Sequence, residues 1–88
     1  MKNLLFFYGL ECPHCVAMES LVDKLLSEGF PVIKLETWHN KENEEKMVGL
    51  DKGSGMCGGV PFFFNENNQK TLCGEVKYEE LKDWAMGK

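Results

Sequence analysis

The tetrapeptide Cys12-Pro13-His14-Cys15 falls between an apolar run at residues 4–10 and a helix-patterned stretch at residues 16–26, and this junction restricts the available folds more than any other feature of the chain. Two cysteines three positions apart face the same side of a helical turn, so their sulfurs can join with little backbone movement. Such a pair is either a redox device or half of a metal site. Pro13 suits the first turn of a helix, where its fixed φ is helical and its missing N–H would have no partner in any case. Cys12 is therefore predicted at the N-cap, with a buried strand before it and a helix behind it.

The segments around the junction extend the pattern. Residues 3–8 form a continuous apolar and aromatic run closed by Gly9, as in a strand covered on both faces. Met18, Leu21, Val22, Leu25 and Leu26 follow helical spacing, with Glu19, Asp23, Lys24 and Glu28 on the other side and Gly29 as the stop. Residues 31–36 read as a second strand. Strand–helix–strand order implies parallel pairing with a right-handed crossover, so both strands end on the edge that carries Cys12. Asn40 is placed to cap a second helix with an acidic first turn at Glu42, Glu44 and Glu45, an inner face of Met47, Val48 and Leu50, and an end at Gly53-Ser54-Gly55. The polar stretch at 39–46 would also suit a loop. Residues 60–64 and 70–73 flank turn formers at 65–69 and predict an antiparallel hairpin, with Pro61 at the start of its strand or on an edge. Tyr78, Leu81, Trp84 and Ala85 mark a last amphipathic helix that stops at Gly87. The order βαβαββα describes an α/β chain: a mixed four-stranded sheet with three helices in a three-layer sandwich.

Its 88 residues suffice for one domain, spanning 1–88, with one modest core. A net charge of −4 without a cluster of Lys or Arg gives no footprint for nucleic acid. No apolar run is long enough to cross a bilayer, so no membrane partner is expected. Met1-Lys2-Asn3 leads into the first strand without a small-residue cleavage site, from which a cytoplasmic location is expected. In that setting a Cys-x-x-Cys pair reads as redox or metal chemistry rather than a secreted disulfide framework.

The attacking species in thiol chemistry is the thiolate. Three features favour it at Cys12: the unpaired N–H groups and dipole of the helix start, an imidazolium or hydrogen bond from His14, and a proton shared with Cys15. Cys12 is then the nucleophile. Cys15, one turn deeper, is the resolving thiol, expected to be less exposed and to hold its proton more tightly. Stabilising the thiolate stabilises the reduced form, so His14 predicts a more oxidising couple than a Gly-Pro dipeptide would.

On these residues the chain resembles the thioredoxin superfamily, over nearly its whole length. The landmarks are Cys12-Pro13-His14-Cys15 after a buried strand, Gly59-Val60-Pro61 opening a later hairpin, and Cys73-Gly74 before the final helix. The resemblance implies a minimal thioredoxin-like fold and thiol–disulfide oxidoreductase activity on protein disulfides or dithiols through a Cys12–Cys15 couple. A monomer without a cofactor or metal is expected, recycled by a reductase or a low-molecular-weight thiol. The resemblance also implies a cis Pro61, with Val60 offering its backbone to an extended substrate beside Cys12. Trp38 and His39, just past the second strand, are placed either to form an apolar platform for that substrate or simply to close the strand. The size is similar to that of glutaredoxins, and the Pro-His dipeptide is similar to that of DsbA-type oxidases, whose inserted helical domain has no counterpart here. Two departures stand out. Phe6 occupies the place where thioredoxins carry a buried Asp that accepts a proton, which leaves Lys34, Glu36 or water to serve Cys15. Gly74-Glu75-Val76 does not repeat the Gly-Gly and acidic cap by which glutaredoxins hold glutathione.

Cys57 and Cys73 complete the cysteine set. A hairpin turn centred near Asn67 would pair position 73 close to position 61, making the two cysteines neighbours on the edge that carries Cys12. Three states are open to them: two buried thiols, a second disulfide, or a metal or cluster site that recruits Cys12 or Cys15, with His14 as a further ligand. The last defines an alternative function, a zinc or iron–sulfur binding module using Cys12, Cys15, Cys57 and Cys73 without turnover.

Overall fold

Strand β1 (Leu4–Tyr8) is an inner strand of the sheet, and its first four residues are all buried, as a strand with helices on both faces requires. The computed structural model describes residues 3–52 and 57–88; the expected start at Met1-Lys2 and the expected helix stop at Gly53-Ser54-Gly55 lie outside the described residues. Leu4 and Phe6 point to one side of the sheet, Leu5 and Phe7 to the other, and each pair seeds its own core. Strand β2 (Val32–Glu36) runs parallel to β1, pairing Phe6 with Lys34 and Tyr8 with Glu36. Strand β3 (Phe62–Asn65) runs antiparallel on the other flank of β1 and pairs in turn with β4 (Thr71–Cys73), giving the order β2-β1-β3-β4.

Helix α1 (Pro13–Ser27) buries Cys15, Met18, Val22 and Leu25. Leu26, expected inside, is 40% exposed because it falls at the margin of that stripe in the last turn. Gly29, at φ 93°, closes the helix with two backbone bonds, Gly29 N–H to Leu26 O at 3.0 Å and Phe30 N–H to Leu25 O at 3.1 Å. Only a residue at ease with positive φ permits that pairing. Helix α3 (Tyr78–Ala85) lies on the same face as α1, with Leu81 and Trp84 packed among Phe6, Phe63, Met18 and Val22. Phe63 stacks on Phe6 at 4.9 Å and meets the Trp84 ring edge-on at 5.4 Å.

Helix α2 (Lys41–Lys52) covers the opposite face, so the polar stretch is helical from Lys41 onward, with residues 39 and 40 leading into it. Asn40 caps it, its Oδ1 accepting from Asn43 N–H at 3.1 Å. The inner face differs from the expectation: Met47 and Asp51 are buried, Leu50 is half-buried and Val48 is 43% exposed. A carboxylate takes an inward position here because backbone N–H groups across the loop are there to receive it.

The hairpin places Cys73 opposite Phe62, close to position 61 as expected. Asn65, expected in the turn, is instead the buried last residue of β3. Its side chain donates to Trp84 O at 3.0 Å and accepts from Asn67 N–H at 2.8 Å, while Gln69 takes the left-handed position at φ 62°.

Candidate active site

Strands β1 and β2 deliver residues 9–12 and 37–40 to one edge, and the Glu36 carboxylate ties these loops together. It accepts from the N–H groups of Leu10 at 2.9 Å, Trp38 at 3.1 Å and His39 at 2.7 Å. Partial burial works against its charge, but these three donors prevail and hold the carboxyl below the usual carboxylate range. The imidazole Nε2 of His39 lies 2.8 and 2.9 Å from the oxygens of Glu11, and that hydrogen bond with its charge raises the His39 pKa. Trp38, 51% exposed, rests on Gly9: a Cβ added there would sit 2.3 Å from the indole. Glycine at position 9 thus serves close approach.

Cys12 is the N-cap of α1, at φ −82° and ψ 115°, and its Sγ accepts from the Cys15 N–H at 3.2 Å. Both residues are free thiols. The expected contrast in exposure is slight, 4% for Cys12 and 2% for Cys15. Burial, then the hydrogen bond with Cys12, push the Cys15 thiol up to about 12. A contact to the Gly9 backbone acts in the opposite direction, and the nearby charge of Glu19 adds to the rise.

Pro13 and His14 are exposed at the helix start. His14 Nδ1 meets Glu75 Oε1 at 2.5 Å, so this imidazole is tied to the loop between β4 and α3. In sequence, Glu75 was notable only as a departure from the glutaredoxin cap, and nothing in its spacing pointed to His14.

The Val60–Pro61 peptide is cis, and Pro61 is buried ahead of β3. Gly74 N–H donates to Pro61 O at 2.9 Å, whereas the N–H and C=O of Val60 have no hydrogen-bond partner among the described residues. The loop before Val60 is anchored twice. Asp51 accepts from Gly58 N–H at 2.8 Å and from Cys57 N–H, and a disulfide joins Cys57 to Cys73 with their Cα atoms 5.7 Å apart. Trp38, Gly59 and Val60 line a common cavity of about 370 Å³ with Met47, Val48 and Asp51 of α2. Of the three states open to Cys57 and Cys73, the structure takes the disulfide, which removes two of the four thiolates of the metal-module alternative. Among the described residues no group of three or more His, Cys, Asp or Glu is placed to hold a metal ion.

The proposed takers of the Cys15 proton sort differently from expectation. Both oxygens of Glu36 are occupied by loop N–H groups. Lys34 lies beside Phe6 on β2, with Nζ 2.7 Å from Asp23 and 3.3 Å from Glu19 on α1. Its pKa is raised, chiefly by the bond to Asp23. Phe6 itself is fully buried.

This arrangement of three helices on a mixed four-stranded sheet is a minimal thioredoxin-like fold. No protein-family model matches the chain, and no curated protein sequence matches it significantly. Among solved structures it is similar to a glutaredoxin from Archaeoglobus fulgidus, with a TM-score of 0.67 and 21% identity over 94% of this chain and 85% of that one. It is also similar to mitochondrial thioredoxin 3 from Saccharomyces cerevisiae in its oxidized form, with a TM-score of 0.66 and 14% identity over 99% of this chain and 78% of that one. Identities this low establish the fold alone. No helix among the described residues is long and apolar enough to cross a membrane.

Proposed function

We propose that the chain is a thiol–disulfide oxidoreductase acting on protein disulfides or dithiols, with Cys12 as nucleophile and Cys15 as resolving thiol. The observation that carries this reading is the asymmetry of the pair: Cys12 Sγ receives a helix-terminal N–H at 3.2 Å, while Cys15 is buried and holds its proton up to about 12. A thiolate at Cys12 is met by that donor and by the positive end of α1. It attacks a substrate disulfide to give a mixed disulfide and a free substrate thiolate. Cys15 then attacks Cys12 Sγ, closes the Cys12–Cys15 disulfide and expels the second substrate thiolate; the reverse sequence oxidises a dithiol.

Because Cys12 is only 4% exposed, a partner must fit closely to reach it. The free backbone of Val60 beside cis Pro61 supports a ledge on which an extended segment can pair, with Gly59 allowing close approach and Trp38 flanking it. Pro13 starts the helix that holds Cys12, and His14, tethered by Glu75, adds positive charge at the same end when protonated. Recycling is assigned to a reductase or a low-molecular-weight thiol, the location to the cytoplasm and the working state to a monomer. The test is turnover of a protein disulfide with dithiothreitol as electron donor. Cys12→Ser should abolish it, and Cys15→Ser should stall as a mixed disulfide at Cys12; full activity of Cys12→Ser would overturn the assignment.

A further inference from the structure

The resolving step has an unmet requirement. Cys15 must lose a proton before it can attack, yet the neighbouring strand offers it Phe6, fully buried, and Glu36 is engaged by three loop N–H groups. His14 is tied to Glu75. Of the two carboxylates on the same side of α1, Glu19 and Asp23, Glu19 is the nearer to Cys15 along the helix. Glu19 follows Cys15 by four residues, so the two side chains are neighbours on the helix, with Cβ atoms about 5–6 Å apart. Its Oε2 lies 3.3 Å from Lys34 Nζ, and the Glu19 side chain is 43% exposed.

We propose that Glu19 accepts the proton of Cys15 in the resolving step, directly or through one water, and that Lys34, which pairs with its carboxylate, is the positioning residue. The inference rests on the oxidoreductase reading above and assigns the proton that reading leaves unplaced. In the step, the S–H bond of Cys15 breaks and its proton passes to the Glu19 carboxylate. The resulting thiolate attacks Cys12 Sγ. A Cys12–Cys15 bond forms, the bond from Cys12 to substrate breaks, and the electron pair leaves on the substrate sulfur. Cys15 is oxidised, the substrate sulfur is reduced, and the proton passes from half-exposed Glu19 to solvent or to the leaving thiolate.

The charged surroundings suit a proton carrier. Lys34, from β2, faces Glu19 and is shared with Asp23 one turn further along α1 at 2.7 Å. From α3, Lys82 engages Glu28 at the far end of α1, 2.8 Å away, and does not compete. The charge of Glu19 also contributes to the high affinity of Cys15 for its proton, the mark of two groups that sense one another.

That coupling makes the test sharp, because the two possible roles of Glu19 predict opposite signs. If Glu19 is only a nearby negative charge, Glu19→Gln eases ionisation of Cys15, and resolution is unchanged or faster. If Glu19 is the acceptor, resolution slows by about tenfold or more near neutral pH, less than the about hundredfold or more of a fully sequestered general base because water can reach the half-exposed site. Rapid-quench alkylation with mass analysis separates formation of the mixed disulfide from its resolution. The expected result is slowing of at least about tenfold confined to the second step, with a residual rate that climbs with pH more steeply than the wild-type rate. A smaller change, faster resolution or equal slowing of both steps would overturn the proposal. Failure of the wild-type protein to form any mixed disulfide at Cys12 would instead sink the oxidoreductase reading, so the two failures are distinguishable.

Discussion

Removing the Cys57–Cys73 bridge should cost the protein about 3 kcal/mol. The bridge spans a sequence separation of 16 residues. In the chain-entropy description, closing a loop of that length removes about 10 cal/mol/K from the unfolded chain, equivalent to about 3 kcal/mol at 25 °C. A domain of 88 residues has an unfolding entropy of about 0.18 kcal/mol/K at its midpoint, so the loss corresponds to a fall in Tm of about 16 °C. Total stability on the order of 4–13 kcal/mol leaves most of that range folded. In the native state Asp51 still holds the loop through the N–H groups of Cys57 and Gly58, so the fold should survive while its stability drops. The assay is thermal unfolding by circular dichroism of the Cys57→Ser, Cys73→Ser double variant against the oxidised wild type. A fall of less than about 5 °C would refute the reasoning, because the bridge would then not be constraining the unfolded chain as its span requires.

Gly9→Ala places a methyl against the Trp38 indole, where a Cβ would lie 2.3 Å away; the ring must move, at a cost of about 1–3 kcal/mol, visible as altered tryptophan fluorescence and weaker turnover of protein substrates. Wild-type fluorescence and activity in that variant would show that Trp38 is free to leave without consequence. Because Cys15 stays protonated until about 12, brief treatment of the reduced protein with iodoacetamide at mildly alkaline pH should modify Cys12 and spare Cys15, as read by peptide mass mapping. Glu28, whose carboxyl is held below 4.5 by hydrogen bonds from Lys82 and then Tyr78, binds α1 to α3. A depressed folded-state value means that its stabilisation is complete above about 4.5 and is lost as pH falls through the lower folded value, so Glu28→Gln should flatten the acid limb of a stability–pH curve. An acid limb that matches the wild type would remove Glu28 from that role.

Much of this architecture can be read from periodicity. The seven elements, the parallel β1–β2 pair and the placement of Cys12 at an N-cap follow from apolar spacing, Pro13 and Gly29, because those signals are local. What escapes a sequence reading depends on groups brought together across the fold. Val48 looks like a core residue until Asp51 is drawn inward by N–H groups six and seven positions away. Asn65 looks like a turn residue until its amide finds the end of α3. Spacing suggested that Cys57 and Cys73 are neighbours but could not choose between thiols, disulfide and metal. The pairing of Glu75 with His14 and of Glu19 with Lys34 cannot be read from spacing, since the partners are 61 and 15 residues apart.

The central claim, that Cys12 and Cys15 form a working redox couple, is tested most directly by the reduction potential of that pair alone. The Cys57→Ser, Cys73→Ser variant is equilibrated against graded dithiol and glutathione buffers, and the thiols are counted by alkylation and mass. The account predicts one reversible two-electron transition joining Cys12 to Cys15, at a potential less negative than the about −270 mV of thioredoxin. Cys12 and Cys15 remaining thiols across the whole range would contradict it.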